Sequence, residues 1–182
     1  GRLDFTGPMG TYYREIFHHI PSLIGNHCNS QRKYAEAERW YQHIFDPTTS
    51  EVVTPDPALS ASANAARQRD RNWRYLEFRG LTLPTMRAIL TDSSAIAAYH
   101  KDPFNPHAIA RLRLSAYQKS IVMRYIDNKL DLADSLFEQF QMETVNEALI
   151  HYATVADILG DRPAQLGSCG PDAVDPRSYE NI

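Results

Sequence analysis

The stretch PHAIARLRLSAYQKSIVMRYIDNKLDLADSLFEQF, residues 106–140, decides the fold of this 182-residue chain. It contains no glycine and no proline after its first position, so nothing inside it interrupts a helix. Its apolar side chains recur at alternating spacings of three and four, with a break at Lys119. They are Ile109, Leu112, Ala116, Met123, Ile126, Leu130, Ala133, Phe137 and Phe140. The spacing predicts one helix of roughly 50 Å with an apolar seam. The seam residues expected to carry the packing are Leu112, Met123, Ile126, Leu130 and Phe137.

A shorter pattern occurs twice, in YAEAERWYQHIFDPT (residues 34–48) and in VNEALIHYATVADILGDRP (residues 145–163). Each copy has Glu-Ala, an aromatic residue four positions after the alanine, and a proline beyond the last apolar turn. Ala37 and Tyr41 form one pair, and Ala148 and Tyr152 form the other. We expect each copy to be the second helix of an antiparallel hairpin, residues 11–29 with 31–45 and residues 106–140 with 142–159. A small alanine allows close approach of the partner backbone, which is typical of tetratricopeptide-like hairpins.

The remaining chain also favours helices, so the predicted class is all-α: antiparallel hairpins around one long helix, with an irregular proline-containing connection. Pro21 predicts a kink or a break in the first helix. Residues 48–70 fit either a short exposed helix or a mobile loop, and two short helices are expected near residues 83–91 and 93–100. Gly160 is suited to a helix C-terminus. We expect a single domain over residues 1–163 and an extended or flexible tail over residues 164–182.

The composition is that of an ordinary soluble protein, with 43% apolar and 23% charged residues. A net charge of −3 provides no general attraction for nucleic acid or an anionic membrane. No stretch approaches the roughly 18 apolar residues of a membrane span. The chain has two cysteines, Cys28 and Cys169, which are too few for a disulfide framework. A single disulfide between them remains an open alternative. The chain starts without methionine or a signal peptide, and we expect it to be part of a longer protein.

Two groups of residues are candidates for metal binding or acid–base chemistry. His18, His19 and His27 lack the i, i+4 spacing of helical zinc ligands, so we interpret them as partly buried, hydrogen-bonded histidines. Asp127, Asp131 and Asp134 follow one stripe of the long helix and could bind a cation or act as acid and base. Such stripes pair more often with basic residues of a neighbouring helix, and this is the interpretation we favour.

Other catalytic patterns are weak or absent from the sequence. His27 and Cys28 are sequence neighbours that point about 100° apart on a helix, which disfavours a catalytic dyad. The sequence has no glycine-rich phosphate loop and no Gly-x-Ser-x-Gly motif. Adjacent Trp40 and Tyr41 could form a carbohydrate platform, but we expect one to pack in the hairpin and the other against a further element. We therefore predict no enzyme, no cofactor and no metal.

Four blocks of the sequence resemble, in order, the A components of bacterial insecticidal Tc toxin complexes and related large toxin-like proteins. They are FTGPMGTYYREIFHHIPSLIGN (residues 5–26), YAEAERWYQHIFDPT (residues 34–48), residues 90–137, and METVNEALIHYATVADILGDRP (residues 142–163). The most specific part is AYHKDPFNPHAIARLR (residues 98–113) followed by AYQKSIVMRYIDN (residues 116–128). Where the family usually carries Trp-Gly-Asp, this chain has Leu132-Ala133-Asp134.

The resemblance implies a homopentameric assembly in which a helical shell surrounds a channel of long helices. In that family the shell opens after a pH change, the channel enters a host membrane, and a separate B–C cocoon supplies the toxic enzyme. The matching region belongs to the C-terminal helical shell, ahead of the pore-forming helices. The resemblance thus implies a non-enzymatic shell segment that supports assembly and channel release in a secreted or cell-surface-associated bacterial toxin complex.

The implied partners are other shell and channel segments of the same toxin chain, in a homo-oligomer. Neither nucleic acid nor direct membrane insertion by this segment is expected. Two alternatives stay open from the residues themselves. One is a stand-alone helical protein-interaction scaffold with a peptide groove between its hairpins. The other is a metal-dependent hydrolase or glycan-binding unit that uses the aspartate stripe or the histidine group.

Overall fold

A computed structural model of the chain describes residues 3–5, 7–102, 104 and 113–162, and this part is all-α, as predicted. The short helices α5 and α6 match their predicted positions to within a residue. The tail at residues 164–182, the seam residue Leu112 and Cys169 lie outside the described residues. The helices are α1 (Gly10–Arg14), α2 (Ile20–Ser30), α3 (Tyr34–Gln42), α4 (Ala61–Asp70), α5 (Leu83–Leu90), α6 (Ser93–Lys101), α7 (Leu114–Phe137) and α8 (Met142–Leu159).

The first two helices are continuous through a π-helical turn at Glu15–His19, so Pro21 does not break the chain into two helices. The N–H of Ile20 bonds the carbonyl of Glu15, five residues back. This wider turn shifts the backbone hydrogen bonds ahead of the proline, whose ring then fits without ending the helix. Pro21 itself is buried near the start of α2.

Helices α2 and α3 form an antiparallel hairpin, in which Gly25 faces Tyr41 and Cys28 lies beside the turn. The turn closes through Arg32, at φ 60°, and the N–H of Lys33 donates to the Cys28 carbonyl at 2.9 Å. A Cβ atom at Gly25 would lie 2.7 Å from Cε1 of Tyr41. The absence of a side chain at this position therefore lets the tyrosine ring lie directly on the α2 backbone.

An irregular connection leads from α3 to α7 and contains the exposed helix α4, one of the two alternatives for residues 48–70. The Ser60 hydroxyl caps α4 by accepting from the Ala63 N–H at 3.2 Å. An isolated antiparallel bridge joins Phe45 to Trp73 and closes the part of this connection that contains α4. A 3₁₀ turn at Leu76–Phe78 then places Phe78 in the core, 1% exposed.

The long helix α7 is shorter than predicted, about 36 Å instead of roughly 50 Å. It starts at Leu114 because Arg113 has a non-helical backbone, with φ −123° and ψ 58°. It ends at Phe137 because Phe140 adopts a positive φ of 54°, which turns the chain into α8. Helix α7 packs against both α3 and α8 and is thus the element that joins the two helical pairs.

The predicted apolar seam is only partly the buried face of α7. Ile126 is 3% exposed and Leu130 is half-buried, whereas Met123 and Phe137 are 42% and 46% exposed. Met123 and Phe137 therefore lie outside the core of the described residues, and their part in a packed seam stays a prediction. The buried positions of α7 instead include Ile121, Tyr125, Asn128, Lys129 and Ala133. Two of these side chains, Tyr125 and Lys129, contact a carboxylate of α3, as described below.

Helix α8 has two buried residues, Ala148 and Val155. Ala148 is 0% exposed and Val155 is 5% exposed, while Tyr152 is half-buried at the margin of the contact with α7. The helix ends at Gly160, which has a φ of 71°, a conformation that favours glycine. The core itself lies between α2, α3, α7 and the 3₁₀ turn. It consists of Cys28, Ala37, Tyr41, Ile44, Phe45, Tyr75, Phe78, Ile121 and Tyr125.

Candidate functional site

A partly buried polar network centred on Glu38, whose side chain is 20% exposed, joins α3 to α7. The ammonium of Lys129 lies 2.8 Å and 2.9 Å from the two Glu38 carboxylate oxygens, and the Tyr125 hydroxyl donates to the same carboxylate at 3.0 Å. Lys129 is 8% exposed, and Tyr125 is completely buried. Burial, and then the charge of Glu38, raise the pKa of the Tyr125 hydroxyl. The carboxylate therefore has charged and neutral donors that satisfy it within the fold, as a buried charge requires.

The network continues toward the start of α3. The Asn128 side-chain amide donates to the Tyr34 carbonyl at 3.2 Å, and Asn128 is 0% exposed. The Lys129 ammonium also lies 5.8 Å from the centre of the Tyr125 ring, within the range of a cation–π contact. The sequence offered one signal for this site: Tyr125 and Lys129 are four residues apart and so lie on one face of α7. The periodicity of the apolar residues alone did not predict this polar network.

A second polar cluster surrounds a cavity of about 60 Å³ beside the π-helical turn, lined by residues that include Arg14, His18, Tyr75 and Glu77. Arg14 forms a salt bridge with Glu77 at 2.6 Å, and the Tyr75 hydroxyl donates to the same carboxylate. This volume is well below the roughly 300 Å³ at which small-molecule pockets begin. It matches the space of a few water molecules.

His18 is a buried histidine that lines this cavity. Its Nδ1 lies 3.3 Å from Nδ1 of His19, and its ring contacts those of Tyr75, Phe78 and Tyr117. Burial, followed by the nearby His19 and Arg124, lowers the pKa of His18 to about 4. Within the described part of the chain its Nε2 is buried without a hydrogen-bond partner. His18 is therefore neutral at physiological pH.

The structure separates His27 from the other two histidines that the sequence grouped, His18 and His19. His18 is buried and His19 is half-buried, with their rings in edge contact at 4.9 Å. His27 is exposed on a later turn, where its Nε2 lies 2.9 Å from the side-chain amide nitrogen of Gln31. Among residues 3–5, 7–102, 104 and 113–162, no group of three or more histidine, cysteine or acidic residues is arranged to hold a metal ion.

The aspartate stripe has partners, but these are neutral instead of the basic residues that we favoured. Asp131 accepts a hydrogen bond from the Asn29 amide of α2 at 2.7 Å, and Asp134 accepts one from the Tyr152 hydroxyl of α8. Asp127 is exposed. Asp131 and Asp134 therefore each link α7 to a neighbouring helix.

The two remaining sequence candidates also lie in packing positions. Cys28 is a buried free thiol beneath the turn, and the exposed imidazole of His27 is directed to Gln31. Tyr41 is 1% exposed against α2, whereas Trp40 is half-buried and contacts the ring of His43 at 5.4 Å. The two aromatic side chains therefore do not form one exposed platform for a sugar ring.

Comparison with known proteins gives one informative similarity. No protein-family model matches the sequence, and no solved structure matches it significantly. The toxin subunit YenA2 of Yersinia entomophaga is 26% identical to this chain over 161 residues. The match covers 88% of this chain but only 10% of YenA2. None of the helices among the described residues is long and apolar enough to cross a membrane. The chain is thus distantly similar to one short part of a much longer toxin subunit.

Proposed function

We propose that the chain is a non-enzymatic structural segment of the helical shell of a toxin translocation subunit, similar to the A component of Tc toxins. The observation that carries this proposal is the similarity to the toxin subunit YenA2, which extends over 88% of the chain. In this role the segment supports assembly of the shell and release of the channel. The protein that contains it is a secreted or cell-surface-associated bacterial toxin.

The contacts of two partly buried carboxylates support a structural role. The Glu38 carboxylate accepts hydrogen bonds from Lys129 and Tyr125, and the Glu77 carboxylate accepts them from Arg14 and Tyr75. Each carboxylate connects elements distant in sequence, so each stabilises the arrangement of helices instead of standing ready for a proton transfer. The partners of such a segment are the other shell and channel segments of its chain, in a homo-oligomer that is pentameric by family resemblance.

The first test is the size and assembly state of the native product that contains this sequence, measured by mass photometry on material purified from its source. We expect a large ring-like oligomer built from a chain many times longer than 182 residues. A small monomer that ends near Ile182 would refute the shell assignment and favour a stand-alone interaction scaffold.

A second test asks whether that native product needs the folded core of this segment in order to assemble. Ile126→Asp places a charge at a buried position of α7 and should abolish the assembled particle, whereas Val52→Asp, at a position 82% exposed, should leave assembly intact. Assembly that survives Ile126→Asp would contradict a structural role for the α7 core.

A further inference from the structure

The turn between α7 and α8, residues 137–143, holds an exposed aromatic side chain in an uncommon backbone conformation. Phe140 is 85% exposed and has a φ of 54°, in the left-handed region that non-glycine residues rarely adopt. Met142 is 80% exposed, and the Phe137 ring lies 6.4 Å from that of Phe140. Such conformations are concentrated at ligand-binding and switch regions. We call this turn the hairpin tip and treat it as a candidate contact surface.

The hairpin tip lies in a strongly acidic part of the chain. Residues 130–161 contain seven acidic residues and no lysine or arginine. All seven are exposed: Asp131, Asp134, Glu138, Glu143, Glu147, Asp157 and Asp161. None of them forms a salt bridge within the described part of the chain. A surface that is complementary to the tip therefore offers an apolar pocket beside positive charge.

An apolar pocket of about 150 Å³ lies between the start of the chain, the π-helical turn and the 3₁₀ turn. Its lining includes Phe5, Phe17, Tyr75 and Leu76. Phe17 is 44% exposed and Leu76 is 47% exposed, so the pocket is open to a partner. An apolar cavity of about this volume is large enough to hold a benzene ring. The pocket therefore has the size and chemistry that suit a phenylalanine side chain.

A basic groove of about 270 Å³ adjoins this pocket. Its lining residues are Arg39, Gln42, His43 and Arg74, and two of these, His43 and Arg74, line the apolar pocket as well. The Arg74 side chain is 54% exposed, although its guanidinium group pairs with the buried Asp46 at 2.5 Å. Arg39 is exposed and forms no salt bridge among the described residues. The two guanidinium groups exceed the one carboxylate, so the groove favours an anionic group.

The hairpin tip and the pocket lie far apart in one chain. The Tyr75 ring, which lines the pocket, lies 5.4 Å from the ring of His18, and that ring lies 5.3 Å from Tyr117 of α7. Phe137, at the tip, follows Tyr117 by twenty residues of the same helix, or about 30 Å. The tip therefore cannot enter the pocket of its own chain, and a tip that enters it belongs to another copy.

We propose that the hairpin tip of one copy binds this pocket and groove on a second copy. The Phe140 ring enters the apolar pocket, and the flanking carboxylates of Glu138 and Glu143 face the guanidinium groups of Arg39 and Arg74. The contact joins two different surfaces, so it is head-to-tail, and contacts of this type close into rings when the rotation between copies permits. It suits an odd number of subunits as well as an even one. The contact rests on the homo-oligomer of the proposed function and names the surfaces at which its copies meet.

The first experiment links the two surfaces with a short bis-maleimide in the native product that contains this sequence. Met142→Cys together with Leu76→Cys should give a ladder of covalently joined copies on a denaturing gel, and neither substitution alone should do so. Met142→Cys with Val52→Cys is the matched control, because Val52 is 82% exposed and lines neither the pocket nor the groove. Absence of the ladder, or an equal ladder in the control, overturns the proposal.

The second experiment removes the aromatic ring without disturbing the fold. In Phe140→Gly the protomer concentration at which half of the oligomer dissociates, measured by mass photometry, should rise at least about tenfold. The melting temperature of the 182-residue chain should stay equal or rise, because glycine adopts a positive φ without strain. Phe104→Gly removes a ring that is 94% exposed outside the tip and should leave assembly unchanged. Unchanged assembly in Phe140→Gly, or a lower melting temperature, overturns a contact role for Phe140.

These outcomes distinguish the contact from the proposed function. A large oligomer that gives no ladder and tolerates Phe140→Gly overturns the head-to-tail contact alone and leaves the shell proposal in place. A small monomeric product overturns both. A ladder that requires both cysteines, together with weaker assembly of Phe140→Gly, supports the contact.

Discussion

Gly25→Ala tests whether the close contact between α2 and α3 limits the packing of this fold. In an open helix the substitution would stabilise the protein by about 1 kcal/mol, because alanine has the higher helix propensity. Here the new Cβ would lie 2.7, 2.9 and 3.0 Å from three ring atoms of Tyr41. These distances are well inside ordinary van der Waals contact, so either the ring or the helix must move.

The Tyr41 ring has little freedom to move away. It is 1% exposed, and its hydroxyl donates to the Asn26 side-chain oxygen at 2.8 Å. Burial raises the pKa of Tyr41 to about 12, so the hydroxyl keeps its proton and remains a donor. Overpacking of a filled core costs about 1–3 kcal/mol. This cost exceeds the gain in helix propensity, and we expect a net loss of about 1 kcal/mol, extending to about 2 kcal/mol.

The assay is urea denaturation followed by far-UV circular dichroism, which gives the free energy of unfolding of each variant. The control repeats Gly25→Ala in a Tyr41→Leu background, where the shorter side chain leaves room for the Cβ atom. In that background the same substitution should become neutral or stabilising, by up to about 1 kcal/mol. A Gly25→Ala variant that is more stable than the unchanged chain would refute the reasoning, and so would an equal loss of stability in both backgrounds.

Three further predictions concern the buried groups. Glu38→Leu should lower the free energy of unfolding by about 3–5 kcal/mol, because it leaves the Lys129 charge buried and unpaired. In a double-mutant cycle, adding Lys129→Met should restore most of this loss of stability. Losses that simply add would contradict the pairing of Glu38 with Lys129. Ile126→Asp should abolish cooperative thermal melting, because it places a charge at a buried position. Leu130→Asp should have a smaller effect, since Leu130 is half-buried. Cooperative melting of the Ile126→Asp variant would contradict the assignment of Ile126 to the core. Stability should fall as the pH decreases from 6.5 toward 4, by up to about 3 kcal/mol, because the unfolded chain protonates His18 near 6.5 and the folded chain only near 4. The melting temperature of the unchanged chain should therefore decrease between pH 6.5 and pH 4, and that of the His18→Leu variant should lose this pH dependence. An unchanged pH dependence in the variant would exclude His18 as its source.

Local sequence determined which segments of this chain are helical. The apolar spacing and the turn residues predicted α5 and α6 to within a residue, and the positive φ of Gly160 agrees with its expected place after α8. Ala37 and Ala148, selected from the repeated Glu-Ala pattern, are both 0% exposed. These features depend on backbone propensity and on side-chain size, which act over a few residues and are therefore readable along the chain.

The face that each helix buries was decided by the tertiary structure. Apolar spacing on α7 selected Met123 and Phe137, yet both are substantially exposed, while Tyr125 and Lys129 are buried. A lysine is an unlikely core residue when only its own helix is considered, since burial of a charge without a partner is costly. Glu38 of α3 supplies that partner, and its position relative to α7 is set by packing of the whole core.

The same distinction applies to the first hairpin and its π-helical turn. The sequence indicated that Tyr41 would cover the partner helix, but only the folded hairpin shows that Gly25 lies beneath its ring. The sequence also indicated that Pro21 disturbs the helix, but the π-helical turn at Glu15–His19 accommodates it without a break. Propensities along the chain determine where helices form, whereas long-range contacts determine their rotation, their close approaches and the pairing of their buried charges.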